Sequence, residues 1–354
     1  MTSPVEQHDV LLLDLDGTLY RGEQPVEHAP DAVVRAVAAG SRIGYITNNA
    51  SRSPADVTAA LTGLGYPATS GDVVTSAQAA ARVLARRLPA GSRVFVVGTE
   101  ALAAEVVSAG LTLAGGADDA EAVVQGHSPK TAWPRLAEAC LAIRRGVPWL
   151  ATNLDATLPT ERGELPGNGS MVAALRTATG AEPEVAGKPG PSLLAEAIRR
   201  TAATTPLMVG DRLDSDIAAA HAAGIPSLLV LTGVSDAHDV LTAPADHRPD
   251  FLAPDLRALF VDSAELRPGA QPDWQVTSAD GELLLAGTGD PHAALRAMCA
   301  VHWATGGGTV RVAAAGDGAA AALEALGLTA DVAATAGSSP SVTVDPTPQP
   351  GVSR

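Results

Sequence analysis

Two aspartates one residue apart, in Asp14-Leu15-Asp16-Gly17-Thr18, leave the apolar run Val10-Leu11-Leu12-Leu13. In extended backbone, residues i and i+2 share a side, so both carboxylates can face one ligand. Such a pair suits a nucleophile beside a proton shuttle. The same residues also make an ordinary turn, because Asp hydrogen-bonds its own backbone and Gly accepts positive φ. Taken alone, these four or five residues support the turn and the catalytic pair equally.

Three further groups have chemistry of their own. Thr47 opens Thr47-Asn48-Asn49 directly after a short apolar stretch, where a hydroxyl can either hold an anion or close a turn. Lys188 lies in Gly187-Lys188-Pro189, and of 24 basic side chains only Lys130 and Lys188 are lysines. That scarcity weighs against a random surface position. The run Gly210-Asp211-Arg212-Leu213-Asp214-Ser215-Asp216 supplies three carboxylates. Asp211 and Asp216 fit metal binding or helix capping, which can coexist, and Asp214 reads as a solvated first-turn acid. The eight histidines, His127 included, show no metal or triad spacing.

The elements that must position these groups alternate. After the strand at Val10–Leu13 come a helix over Ala29–Ala39, a strand at Arg42–Ile46 and a helix over Pro54–Leu64, which is the opening of a parallel sheet. Helices over Ser192–Arg200 and Asp216–Ala223 alternate with strands at Leu207–Val209 and Ser227–Leu231 to resume that rhythm. Between them lies an insertion with a helix at Ala77–Leu88, strand runs near Arg93–Val97, Ala122–Val124 and Val147–Ala151, and a closing helix at Met171–Thr179. The expected architecture is α/β: a doubly wound parallel core (1–79 and 185–262), an inserted α/β cap (80–184), and a C-terminal α/β appendage (265–335). Pro268, Gly269 and Pro272 mark the linker, strands at Glu282–Ala286 and Thr309–Ala313 and helices at Pro291–Ala304 and Ala319–Leu326 build the appendage, and residues 336–354 read as a disordered tail. Gly306-Gly307-Gly308 precedes a strand rather than a helix, so it is not a phosphate cradle.

Composition narrows the partners. Of 354 residues 46% are apolar and the net charge is −15, which opposes nucleic acid and anionic lipid and favours small substrates. No apolar run is long enough to span a bilayer and no leader is apparent, so a cytoplasmic protein is expected. Cys140 and Cys299 lack metal or disulfide spacing and read as core residues.

The four elements, in chain order Asp14-x-Asp16, Thr47, Lys188 and Asp211 to Asp216, resemble the haloacid dehalogenase superfamily of phosphohydrolases. A cap between the second and third elements is similar to the class IIA branch, and the likeness spans roughly residues 8 to 260. It implies a Mg²⁺-dependent phosphomonoesterase. Asp14 would attack phosphorus and form an aspartyl phosphate, and Asp16 would protonate the leaving oxygen and then deprotonate water. Lys188 would neutralise charge, and Thr47, Asn48 and Asn49 would bind the phosphoryl group. Mg²⁺ would be held by Asp14, the Asp16 carbonyl and Asp211, with Asp216 in support. Both aspartates argue against a dehalogenase, which protonates no alkoxide. The cap implies a small phosphorylated metabolite, contacted from Asn153 and Asp155 and from Arg162 or Gly167–Ser170, and offers a route to homo-oligomers. Leu154 departs from the Asn-Pro-Asp usual in the family. The appendage resembles part of an acetyltransferase fold, as in actinobacterial glycerol 3-phosphate phosphatases, and glycerol 3-phosphate is the substrate that likeness implies. Phosphoglycolate, pyridoxal phosphate and nucleotide monophosphates remain alternatives. The appendage itself reads as a separable interaction or regulatory module, dispensable for the chemistry.

Overall fold

Strand Val10–Asp14 is buried along its whole length and lies inside a six-stranded sheet. The computed structural model describes residues 2–328 except Glu161 and Asp280, so the expected tail lies outside the described residues. Across the sheet the strands are Phe251–Ala253, Ser227–Val230, Pro206–Gly210, Val10–Asp14, Arg42–Thr47 and Val73–Thr75, all parallel. A parallel sheet needs cover on both faces. Alternation along the strands provides it: Leu12, Ile46 and Met208 enter one apolar layer, and Leu11, Leu13, Tyr45 and Val209 enter the other. This is the doubly wound α/β sheet expected from the sequence.

Strand order reverses between Val10–Asp14 and Pro206–Gly210. The chain steps outward from the first strand to Arg42–Thr47 and Val73–Thr75, then returns on the first strand's other side. The crevice beyond the carboxyl ends of these two strands is where such sheets bind ligands. Asp14 ends one strand and Asp211 follows the other.

The insertion forms a second parallel sheet of Glu184–Val185, Trp149–Ala151, Ala122–Gln125, Arg93–Val97 and Thr112–Leu113. Helix Ser76–Arg87 joins it to the core. Thr75 and Gln78 start that helix with reciprocal capping bonds. Its apolar residues share one buried cluster with Val10 and Leu12 of the core and Val94 and Val124 of the cap. The seam expected at residue 80 therefore falls inside this helix. Helices Glu100–Ser108 and Trp133–Arg144, not anticipated, complete the cap.

Several edges differ from expectation. The helix expected from Asp216 begins as a π-helical turn at Leu213–Ile217 that continues as Ala218–Ala223, and the helix expected from Met171 begins at Asn168. The appendage carries an unforeseen strand, Trp274–Ala279, antiparallel to Glu282–Gly287, with Arg311–Ala315 alongside. Most of that first strand is exposed and polar, so it lacks the apolar run that marks a central strand. Cys299 is buried as expected, whereas Cys140 is only half-buried.

The appendage is not a bead on a linker. Leu283, Leu285, Leu295, Met298 and Cys299 form one buried cluster with Leu213, Ile217, Leu229, Val240, Leu241 and Leu252 of the core. Trp303 Nε1 donates to Leu241 O at 3.2 Å, and Arg296 donates to Leu252 O at 3.1 Å. Among the described residues, no helix is long and apolar enough to cross a membrane.

Candidate active site

Asp14, Asp211 and Asp216 are buried together, each offering a carboxylate oxygen within 4.8 Å of the others. Lys188 is 3% exposed and its ammonium reaches between them, donating to Asp14 Oδ1 and, at 2.5 Å, to Asp216 Oδ1. Residues 14, 188, 211 and 216, scattered over two hundred positions, thus meet at the crevice.

Charge crowding fixes the protonation tendencies. Burial and the neighbouring Asp216 push the Asp14 carboxyl well above the usual carboxylate range. Burial and Asp216 likewise raise Asp211, to about 6, against the opposing pull of the Val234 N–H, Lys188 and Thr18. Burial alone would depress Lys188, but Asp14 and Asp216 reverse that and hold its ammonium above the usual lysine range. Three buried carboxylates facing one lysine leave negative charge uncompensated.

Asp211 is clasped from two sides. Thr18 Oγ1 donates to its Oδ1 at 3.2 Å and Val234 N to its Oδ2 at 2.8 Å. Ser235 N donates to its backbone oxygen at 3.1 Å. The approach of these loops requires glycine twice. A Cβ on Gly17, which also has φ +88°, would fall 2.4 Å from Asp211 Oδ2, and one on Gly233 would fall 1.8 Å from it. Asp216 has both oxygens engaged, Oδ1 by Lys188 and Oδ2 by Arg212 N at 3.1 Å.

Asp16 stands apart from this buried cluster. Its side chain is exposed, on the tight turn closed by Gly17 N to Tyr20 O at 2.8 Å. Surrounding protein nevertheless raises its carboxyl, with Lys188 and Arg52 pulling the other way. The two aspartates that the sequence pairs are therefore a buried group and an accessible one.

The Thr47–Asn49 loop is internally bonded. Thr47 Oγ1 accepts from Asn49 N at 3.0 Å, and Asn49 Oδ1 accepts from Ser51 N at 2.8 Å. The Asn48 carboxamide is fastened to the lysine: its Oδ1 accepts from Lys188 N at 2.8 Å and its Nδ2 donates to Lys188 O at 3.1 Å. Asn48 thereby positions Lys188.

In the cap, Asn153 Nδ2 donates to Asn48 O at 2.8 Å, tying the cap loop to the core. Asp155 is exposed, its carboxyl raised by burial of its surroundings and lowered by Arg212 and Lys188. Gly167–Ser170 holds this loop from behind: Gly169 N donates to Asp155 O at 2.9 Å, and Asn168 Nδ2 to Asn153 O at 2.8 Å. Arg162 lies in the turn after strand Thr157–Thr160, and His127 is half-buried. Asp214 forms a two-point ion pair with Arg212, at 3.0 and 2.9 Å.

Sequence reasoning gave no role to Thr18, Arg52, Arg212 or the Gly233–Ser235 clasp, and it placed Gly167–Ser170 on the substrate, where Asn168 bonds the backbone of Asn153. Thr18 lay inside the opening motif. No local pattern marks residues 233–235, because their contact with Asp211 is tertiary.

Known proteins resemble this chain in sequence and fold. Residues 11–112 match a model of haloacid dehalogenase-like hydrolases, residues 185–259 a second model of that type, and residues 271–328 a GCN5-related N-acetyltransferase-like domain. The chain is 53% identical over 291 residues to a D-glycerol 3-phosphate phosphatase of Mycobacterium tuberculosis, covering 82% of each. It is 39% identical to a 5'-nucleotidase of Bacillus subtilis, over 63% of this chain and 87% of that one. The crystal structure of a glycerol phosphate phosphatase from Mycobacterium tuberculosis, in complex with magnesium, superposes with a TM-score of 0.89 at 49% identity, covering 93% of this chain and 100% of that chain. The chain belongs to the haloacid dehalogenase-like hydrolases.

Proposed function

We propose that this phosphatase hydrolyses glycerol 3-phosphate to glycerol and phosphate, with Asp14 as nucleophile and Asp16 as proton shuttle. The observation that carries the chemistry is the buried Asp14 carboxylate held by Lys188 at a topological switch point, with accessible Asp16 two residues on. The substrate rests on the mycobacterial relatives named above.

Asp14 Oδ attacks phosphorus, and the bond from phosphorus to the glycerol oxygen breaks as Asp16 hands that oxygen a proton. Asp16 then takes a proton from water, whose oxygen displaces Asp14 from phosphorus and regenerates both groups. Lys188 offsets the charge that Asp14 brings toward an anionic ester, and Thr47 with the adjoining loop backbone receives the phosphoryl oxygens.

The donor set suits Mg²⁺: hard carboxylate oxygens, excess negative charge and close approach permitted by two glycines. Asp14, the Asp16 carbonyl and Asp211 would hold it. Asp216, which accepts from the Lys188 ammonium, supports it through that lysine. When bound, the ion neutralises the phosphate and its nucleophile. Asp155, aimed by Asn153 and Asn168, is the cap group we assign to the substrate's hydroxyls.

Phosphate release with Mg²⁺ should be fastest on glycerol 3-phosphate among glycerol 3-phosphate, phosphoglycolate, pyridoxal phosphate and nucleotide monophosphates, and absent with Asp14→Asn. Faster release from nucleotides would move the assignment toward the nucleotidase relative. Uniformly feeble rates would remove the glycerol assignment. Self-association through the cap is part of this reading, since Trp133 is 79% and Leu141 54% exposed on helix Trp133–Arg144. Light scattering should find Trp133→Glu shifted toward monomer; an unchanged mass would place any interface elsewhere.

A further inference from the structure

We propose that the C-terminal appendage is a working part of the metal site: it holds the clasp that aims Asp211, so residues remote from the crevice set cation affinity. The proposal rests on the reading of Asp211 as a Mg²⁺ ligand.

The physical chain is continuous. Residues 233–235 wrap Asp211, with Val234 N on its carboxylate and Ser235 N on its carbonyl. Ser235 Oγ also accepts from Leu213 N at 3.0 Å, fastening the clasp to the π-helical turn that carries Asp216. One residue beyond, Asp236 and Asp239 cap helix Ala237–Thr242 reciprocally. That helix has only six residues, too few to hold itself in place. Its buried side chains, Val240 and Leu241, join the apolar cluster containing Leu295, Met298 and Cys299 of helix Pro291–Ala304. At its far end Leu241 O accepts the Trp303 indole N–H, and Arg248, stacked 5.2 Å from the Trp303 ring, bonds Ala243 O at 3.1 Å and Gly306 O at 3.1 Å.

The helix is therefore anchored at one end by the appendage and grips Asp211 at the other. The separable module expected from the sequence does not fit a shared core of this kind. Outer-shell partners orient ligands and tune affinity, and here the outer shell extends through one helix into another α/β unit.

Mg²⁺ binding to the full-length protein, measured by calorimetry without substrate, tests this against unfolding followed separately. Met298→Ala, which opens a cavity in the apolar cluster that Val240 and Leu241 join, and Trp303→Phe, which removes the indole donor, should each weaken Mg²⁺ binding by about tenfold, the low end for outer-shell changes. Met298→Leu keeps the volume and should bind as the wild type does. If Asp211→Asn abolishes binding while Met298→Ala and Trp303→Phe lose thermal stability at unchanged Mg²⁺ affinity, the proposal is overturned and the appendage only stabilises. If Asp211→Asn binds Mg²⁺ normally, the underlying metal reading fails instead.

Discussion

The two ends of the central strand carry the same residue in opposite circumstances. Asp9, just before Val10, accepts hydrogen bonds from Thr204 N at 3.0 Å, Thr205 N at 2.9 Å, both threonine hydroxyls, and Arg42 at 2.7 Å. Burial would raise it, but these donors outweigh that and hold its carboxyl well below the usual range. Asp14, five residues on, accepts from Lys188 and has two carboxylates as neighbours, and its carboxyl is driven up. One end of the sheet spends its acid on stability. The other holds like charges together, a cost to the fold that suits a site awaiting a cation and an anionic ester.

Breaking the functional end should cost activity without costing the fold. Asp14→Asn removes the nucleophile, so turnover should fall by on the order of 10⁴-fold or more. Because Asp14 has a raised folded value, its ionisation opposes folding at pH above that value, and the opposition fades as pH falls through it. Without Mg²⁺ at pH 8, Asp14→Asn should therefore melt at or above the wild-type temperature. A clear drop in melting temperature would mean that its bond to Lys188 outweighs the repulsion.

Asp16→Asn should reduce turnover by roughly 10²–10⁴-fold with little change in KM, since its work is proton transfer. A mainly KM effect would recast Asp16 as a binding group. Lys188→Arg should cost about 10²–10³-fold, the scale of one lost charge-stabilising donor. The ammonium sits as a point between Asp14 and Asp216, and a planar fork cannot occupy that 3%-exposed space without moving them. Wild-type activity in Lys188→Arg would show that charge alone suffices there.

The contrast between the ends also explains what was legible in the sequence. Asp14, Asp16, Thr47 and the run from Asp211 to Asp216 stand at strand ends beside apolar runs, so topology and chemistry point to the same residues, and Lys188 stands out as one of only two lysines. The doubly wound order followed from the alternation of those runs. Asp9 gave no signal, because its partners Thr204 and Thr205 are about 195 positions away and no local pattern announces them. Asn48 was read as a phosphate ligand, and its carboxamide proves to be bonded to the backbone of Lys188. The clasp at residues 233–235 and the shared core of the appendage were hidden for the same reason: each depends on packing between distant segments. Strand Trp274–Ala279 escaped because an edge strand with exposed polar residues lacks the apolar pattern of the central ones.

The smallest expected effect belongs to the quiet end. Asp9→Ala should leave kcat and KM close to wild type, because nothing it touches reaches the crevice. It should cost about 1–2 kcal/mol of stability, since the freed Thr204 and Thr205 N–H groups lie near the surface and partly regain water. The sign of the pH dependence follows from the lowered folded value. The charge-dependent stabilisation is fully present above the unfolded value of about 4 and is lost progressively as pH falls toward the lower folded one. Urea midpoints of wild type and Asp9→Ala should therefore differ equally at pH 7 and pH 5, and less at pH 3. A gap as wide at pH 3 as at pH 7 would mean that Asp9 acts there through shape rather than charge, and the two ends of the strand would differ in exposure alone.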